Sequence, residues 1–541
     1  MRVLLRFSSL SALGLLLLAT AVTSDVSPQS APTMRVDPAP VITTYAGSPC
    51  TPMLLWQTDG VAAGDRFGCS VRSGYDWGGD GTQAIAVGAP HADPGTGPSG
   101  SVSVYYGALA EHWEYYWNLN SEFGRSVCFV TDIDHDGASE VVVGGPNHDG
   151  GGADSAGVVT VMGKSNFLIF SFIGTGVGDK LGYSVADADD VDHDLYNDII
   201  VGAPGARGPL GDLTGYVLIL SPKLNDILHR FDGAEPGAMF GRTVAYGGDL
   251  DNNGVGDFLI GAPRASVFGT PAAHVGAVFV YRSDGTLIWR YNGANPDDYF
   301  GDAVSGSDDL NGDNQNEVII GAWGADPGGV TDAGSVYVYS GATHALLYRL
   351  DGDGPNQHFG YAVTATCDVD GDGYDDILVG APQADPAGRT DAGTAYVYSA
   401  HTGALLWKIE GAAAGDLLGS SVAGRGDPAL LHTCEVVVGA MGTDPGGRID
   451  AGSAYLFGCA CDCPCKYDPQ CDGVISDILD VSQTINVAFR GQPATKDPLC
   501  PVERTDVDAS HATDVLDVTK VINVAFRGQS VATNYVDPCA P

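Results

Sequence analysis

Basic residues are scarce in this chain. Lys and Arg total 26 against 67 Asp and Glu in 541 residues, a formal charge of −41. Such a balance opposes binding to nucleic acid or to an anionic membrane surface, so neither is expected as a partner. Long apolar runs are missing too. Beyond the N-terminal segment no stretch reaches the ~20 residues that a membrane-spanning helix needs, and no membrane span is expected. The patterns G-x-S-x-G, H-E-x-x-H and C-x-x-C-H are absent, and the twelve His are scattered with no nucleophile–base pair at motif spacing. A triad can be assembled from distant residues, but nothing here points to one, and the expectation is a protein that is not an enzyme.

What is present begins with a secretory pattern. Arg2 and Arg6 precede the apolar run Leu10–Ala19, and small residues at 19–21 offer a cleavage site. Residues 1–24 read as a signal peptide, which places the mature chain outside the cell or on its surface. Twelve cysteines in an exported chain favour disulfides over redox chemistry. Residues 25–50 read as a linker.

Self-similarity sets the architecture. A Phe-Gly or Leu-Gly pair recurs at Phe67, Phe123, Leu181, Phe240, Phe300, Phe359 and Leu418, every 56–60 residues. A Gly-Ala-Pro-like triplet keeps step with it at Gly88, Gly144, Gly202, Gly261, Gly321, Gly380 and Gly439. Both markers count seven units. Each unit reads as four short strands rich in β-branched and aromatic residues, punctuated by Gly, Asp and Pro. Seven such units over residues 51–458 predict an all-β, seven-bladed propeller. Unit seven lacks a fourth strand, whereas "MLLWQTDG" at 53–60 resembles the fourth-strand segment "ALLWKIEG" at 404–411. Leu54–Gln57 is therefore expected to complete blade seven and close the ring. That pairing would bring Cys50 beside Cys459 for a disulfide, with Cys461 as the alternative partner.

An acidic loop begins twelve residues before each triplet. Blade six reads "DVDGDGYDDILVGAP", with Asp368, Asp370, Asp372 and Asp376 at positions 1, 3, 5 and 9. Blade two offers Asp132, Asp134, Asp136 and Glu140; blade three Asp190, Asp192, Asp194 and Asp198. Blade four has Asp249, Asp251, Asn253 and Asp257, and blade five Asp309, Asn311, Asp313 and Glu317. Alternate oxygen-bearing side chains on a tight loop suit calcium, a hard cation that takes six to eight oxygens. Zinc would want His or Cys at these positions. An EF-hand is excluded, because its closing Glu at position 12 is here Val379, within an apolar β-like run. A single Asp-Gly turn means little, but five in register make calcium the expectation, with about five ions in blades two to six. The loops carry 18 carboxylates, whose mutual repulsion works against the fold unless cations neutralise it. Blade one (Asp76, Gly78, Asp80, Ala84) and blade seven (Asp427, Ala429, Leu431, Glu435) keep only half the set, and tight calcium is expected in neither.

The joint register of Phe-Gly, D-x-D-x-D-G-x-x-D and Gly-Ala-Pro resembles the FG-GAP repeats of integrin α-subunit propellers. The resemblance implies loops that hold calcium on one face and ligand binding on the opposite face and its edges. The corresponding surface here would include the loops at 324–334, 383–393 and 442–452. Adhesion or recognition of an unknown protein or glycan is what it implies, without naming the ligand. Nothing resembles the integrin leg domains or membrane anchor.

Composition changes after Phe457. Cys459, Cys461, Cys463, Cys465 and Cys471 crowd a short linker (459–471), read as a disulfide knot rather than a zinc site. The octapeptide "INVAFRGQ" then appears twice, at 485 and 522, each time after an acidic segment. This duplicated loop–helix pattern over 468–541 resembles a type I dockerin, a small α-helical module. The resemblance implies one or two further calcium ions and a cohesin-like partner. Asp468, Asp472 and Asp480 would serve the first loop, and Asp506, Asp508, Ser510, Asp514 and Asp517 the second. In the first copy Asp480 falls one residue late, and in the second His511 stands where Gly is expected. Two other functions fit the sequence: a dockerin-borne component of extracellular polysaccharide degradation, through carbohydrate binding or an unrecognised hydrolase, and a structural envelope protein.

Overall fold

The computed structural model describes residues 39–45 and 52–459, apart from 80–81, 96, 107–108, 110, 118–119, 151, 165–167, 209–210, 267–273 and 427–433. The expected signal peptide, the Cys50–Cys459 pairing, the Cys-rich linker and the dockerin-like loops lie outside these residues.

The described residues form an all-β propeller of seven antiparallel sheets. Blade six shows the plan, with Ala362–Thr366, Asp376–Ala381, Thr394–Tyr398 and Leu405–Glu410 following one another outward from the axis. The first strand of each blade touches that of the next, and Leu418–Gly426 of blade seven touches Ser70–Gly74 of blade one. A closed ring leaves no edge in its inner layer. Closure comes from the segment read as the missing strand. Pro52–Asp59 pairs antiparallel with Ser453–Cys459, Leu54 opposite Phe457 and Gln57 opposite Tyr455. Blade six also gains a fifth strand, Val41–Thr44, alongside Leu405–Glu410. The sequence reading assigned that stretch to a linker. Its β-branched run "VITT" is too short to signal a strand by itself, and only the exposed edge of blade six gives it a partner.

Seven apolar layers hold the ring, one between each pair of adjacent blades. Second strands are buried on both faces, as in Glu317–Ala322 and Asp376–Ala381. Such strands read as continuous apolar runs rather than alternating ones, which explains "VIIGA" and "ILVGA". Burial also reaches the acidic residue that opens the second strand of blades two, four, five and six: Glu140, Asp257, Glu317 and Asp376.

The two sequence markers meet at every blade boundary. In all seven blades the triplet glycine lies against the carbonyl of the next blade's Phe-Gly or Leu-Gly glycine. A Cβ on Gly380 would stand 2.0 Å from the oxygen of Gly419, and one on Gly439 would stand 2.1 Å from that of Gly68. The periodicity counted in the sequence is thus the periodicity of the inter-blade contact.

Candidate metal centre

Each acidic loop joins a first strand to the buried second strand of its blade, so all of them gather on one face. Their internal geometry repeats. The position-1 carboxylate receives the backbone N–H groups of positions 5 and 6: Asp368 accepts from Asp372 at 3.2 Å and Gly373 at 2.8 Å, and Asp249 accepts from Asn253 at 2.9 Å and Gly254 at 2.7 Å. The position-9 carboxylate receives the N–H of position 2: Ile133 to Glu140 and Val369 to Asp376 at 2.7 Å, Val191 to Asp198 at 2.9 Å. Position 6 is glycine in blades two, four and six with φ near +90° (Gly137, Gly254, Gly373), a conformation that β-carbons disfavour.

These turns bring carboxylates together. One oxygen from each of Asp132, Asp134, Asp136 and Glu140 falls within 4.8 Å of the others. The same holds for Asp190, Asp192 and Asp194; Asp249, Asp251 and Asp257; Asp309, Asp313 and Glu317; and Asp368, Asp370 and Asp376. Asp198 and Asp372 stand outside the tightest sets of their loops. Among the amides, Asn253 Oδ1 accepts from the N–H of Val255 at 2.8 Å. Asn311 turns its Nδ2 towards Glu317 Oε1 at 2.5 Å, and rotating that amide by half a turn would present its oxygen instead.

Several of these oxygens are buried with no hydrogen-bond donor among the described residues: Glu140 Oε1, Asp192 Oδ2, Asp194 Oδ2, Asp251 Oδ1 and Asp257 Oδ1. A buried carboxylate oxygen without a donor is costly unless a cation meets it. Electrostatics carry the same message. Burial, and then the neighbouring loop carboxylates, push Glu140 and Asp376 up to about 8. The same causes push Asp198, Asp257 and Glu317 up to about 7. Asp309 moves the other way: burial raises it, but N–H donation from Asn314, Gly312, Asn311 and Asp313 more than offsets that. Oxygen-only donors, close convergence and unmet lone pairs fit a hard divalent cation such as calcium.

Protein cations reach some loops. Arg282 pairs with Asp251 in blade four. In blade one, where two ligand positions have lost their oxygens, Lys164 Nζ donates to the carbonyl of Gly78 at 2.7 Å and lies 4.5 Å from the Tyr106 ring centre. Asp80 of that loop, and Asp427, Ala429 and Leu431 of blade seven, are outside the described residues.

One feature the sequence reading missed ties loops to each other. Cys367, just before position 1 in blade six, forms a disulfide with Cys434, at position 8 in blade seven. The same two positions meet elsewhere: Thr131 Oγ1 of blade two donates to Asn197 Oδ1 of blade three at 2.8 Å. Between blades five and six they are Asp308 and Asp375, and Asp375 is pushed up to about 6 by burial and then by Asp308. Aligning the loops by position would have exposed the pairing, because Cys occurs at those two positions only in the last pair of blades.

Comparison with known proteins agrees with this architecture. The FG-GAP repeat family matches residues 123–162 and 359–398. Integrin alpha-8 of Gallus gallus is 31% identical over 235 residues, covering 41% of this chain and 21% of its own length. Integrin alpha-5 of Xenopus laevis is 30% identical over 226 residues, 38% of this chain and 20% of its own. Integrin alpha pat-2 of Caenorhabditis elegans is 32% identical over 227 residues, 38% of this chain and 18% of its own. The chain thus spans about a fifth of the length of these relatives. Residues 52–459 form a seven-bladed β-propeller that carries FG-GAP repeats, and integrin α-subunits are among the homologues of the chain.

Proposed function

We propose that this chain is an exported recognition module, in which calcium on one propeller face stiffens the structure and ligand is bound on the other. The observation that carries the reading is the set of five carboxylate clusters recurring at the same place in blades two to six. Asp132, Asp134, Asp136 and Glu140 would hold the first ion, and the equivalent sets, with Asp198, Asn253, Asn311 and Asp372 completing them, the other four. The cations would cancel repulsion that the fold otherwise bears.

The opposite face carries the loops between second and third strands. Three of them share one conformation, each with a short turn: Pro327–Gly329, Pro386–Gly388 and Pro445–Gly447. In each, the carboxylate before the proline accepts from the N–H six residues on: Asp326 from Asp332 at 2.7 Å, Asp385 from Asp391 and Asp444 from Asp450 at 2.8 Å. A surface so braced suits binding with little ordering cost. Among the described residues no helix is long and apolar enough to cross a membrane. The tail would supply attachment to a cohesin-like partner or to a surface.

The test is to immobilise the full chain and screen matrix proteins and glycans in calcium buffer, following product release from the same polysaccharides. Saturable binding that chelation abolishes, without turnover, is the expected result. Release of sugars would instead favour a component of polysaccharide degradation, and self-assembly with no external ligand a structural envelope protein.

A further inference from the structure

The residue after each Phe-Gly or Leu-Gly pair lines the mouth of the central channel, at the end away from the acidic loops. In chain order the first six are Cys69, Arg125, Tyr183, Arg242, Asp302 and Tyr361, around a cavity of about 370 Å³. Arg66 and Arg72 line it as well. Four of only 26 basic residues in a strongly acidic chain therefore converge on one cavity.

The carboxylates present offset only part of this charge: Asp302 pairs with Arg242. Asp302 is already engaged, its Oδ1 accepting from Arg242 Nε at 2.7 Å and its Oδ2 from Trp323 Nε1 at 2.8 Å. Glu122 is the other acidic residue of the lining. Arg125 has no ion-pair partner among the described residues. Its Nη2 donates to the Tyr183 hydroxyl at 3.0 Å, and its Nη1 lies 3.9 Å from Cys69 Sγ. Tyr183 holds two guanidinium groups against its ring, Arg125 at 4.8 Å and Arg242 at 4.5 Å. Asp302 offsets the Arg242 charge on that ring, which leaves the Arg125 guanidinium as the one without a carboxylate ion pair among the described residues. A guanidinium with free N–H groups is matched to an oxyanion, which it grips in a forked geometry. Burial, and then Arg66, push the His91 imidazole down, towards its neutral form.

We propose that the channel mouth is an oxyanion-binding site that takes one carboxylate or phosphate group, held by Arg125 and oriented by Arg242 and Tyr183. The inference gives chemistry to the recognition face and rests on that reading only for its biological meaning. The site itself is independent of the acidic loops.

The experiment uses the calcium-saturated full chain with succinate, methyl phosphate and the neutral succinamide. Binding is read by calorimetry and by the rate of Cys69 alkylation with iodoacetamide, resolved by peptide mass spectrometry. Succinate or methyl phosphate is expected to bind saturably and to protect Cys69, and whichever does identifies the oxyanion; succinamide is expected to do neither. Arg125→Gln should weaken binding by at least about tenfold and Arg125→Lys by less, with calcium uptake unchanged. Absence of binding and protection with both anions, or wild-type affinity in Arg125→Gln, overturns the site. Failure of the recognition reading is seen separately, as no saturable binding of matrix proteins or glycans by the unsubstituted chain in calcium buffer.

Discussion

Replacing Gly380 with alanine is expected to destabilise the propeller by about 3 kcal/mol, the upper range for forcing atoms into a packed core. The new Cβ would sit 2.0 Å from the oxygen and 2.9 Å from the carbonyl carbon of Gly419. Both are backbone atoms of the neighbouring blade, so no side chain can swing aside. Nor can Gly380 retreat, because its own carbonyl accepts from the N–H of Gly360 at 3.1 Å within blade six. Gly388→Ala is the matched control. That glycine has φ +76° but nothing within 4 Å of its Cβ position, so only the backbone penalty of about 1 kcal/mol is expected. Denaturant unfolding of the two variants in saturating calcium separates them. Equal midpoints would remove the blade-contact explanation of the repeat markers.

Chelating calcium at pH 8 is expected to lower the melting temperature far more than chelation at pH 5. Burial raises the position-9 carboxylates to about 7 in Asp198, Asp257 and Glu317 and to about 8 in Glu140 and Asp376. Unfolded, they titrate near 4. A carboxylate whose folded value is the higher one binds its proton more tightly in the native state. Its stabilising contribution is complete below the unfolded value and is lost as pH rises through the folded one. The metal-free protein should therefore lose stability between about pH 4 and pH 8, and calcium should restore it at the alkaline end. At pH 5 protons already neutralise these groups, so calcium binds more weakly and adds less. General repulsion in a chain of −41 charge acts in the same direction. Asp376→Asn with Glu140→Gln distinguishes the two, since removing these carboxylates should flatten the pH dependence of the metal-free protein. An unchanged profile in that double variant would assign the effect to net charge instead.

Much of the architecture was legible because the same physical demand recurs seven times. The triplet glycine and the Phe-Gly glycine are invariant across the blades of this chain, since backbone meets backbone at every boundary. The acidic positions were readable for a related reason: a loop that leads into a buried strand must direct its carboxylates at one another or at a cation. The strand at Pro52–Asp59 could be matched to its place by resemblance to Leu405–Glu410. Features specific to one pair of blades were harder to read. The Cys367–Cys434 bond joins residues 67 apart, a separation that differs from the repeat length and is readable only when the loops are aligned position by position. The arginines at the channel mouth follow the Phe-Gly pairs at a position with no fixed residue type, and only the ring brings Arg125, Tyr183 and Arg242 together.

Calcium uptake by the chelated full chain at pH 8, measured by calorimetry with the melting temperature followed in parallel, decides whether the carboxylate clusters hold ions. About five ions bound within the propeller, one for each carboxylate cluster, and a large rise in melting temperature are expected. Asp368→Ala should lose one of them. Any further ions would belong to the loops of residues 468–517. A chain that takes up no calcium and melts at the same temperature with and without it would show that the five loops are not calcium sites.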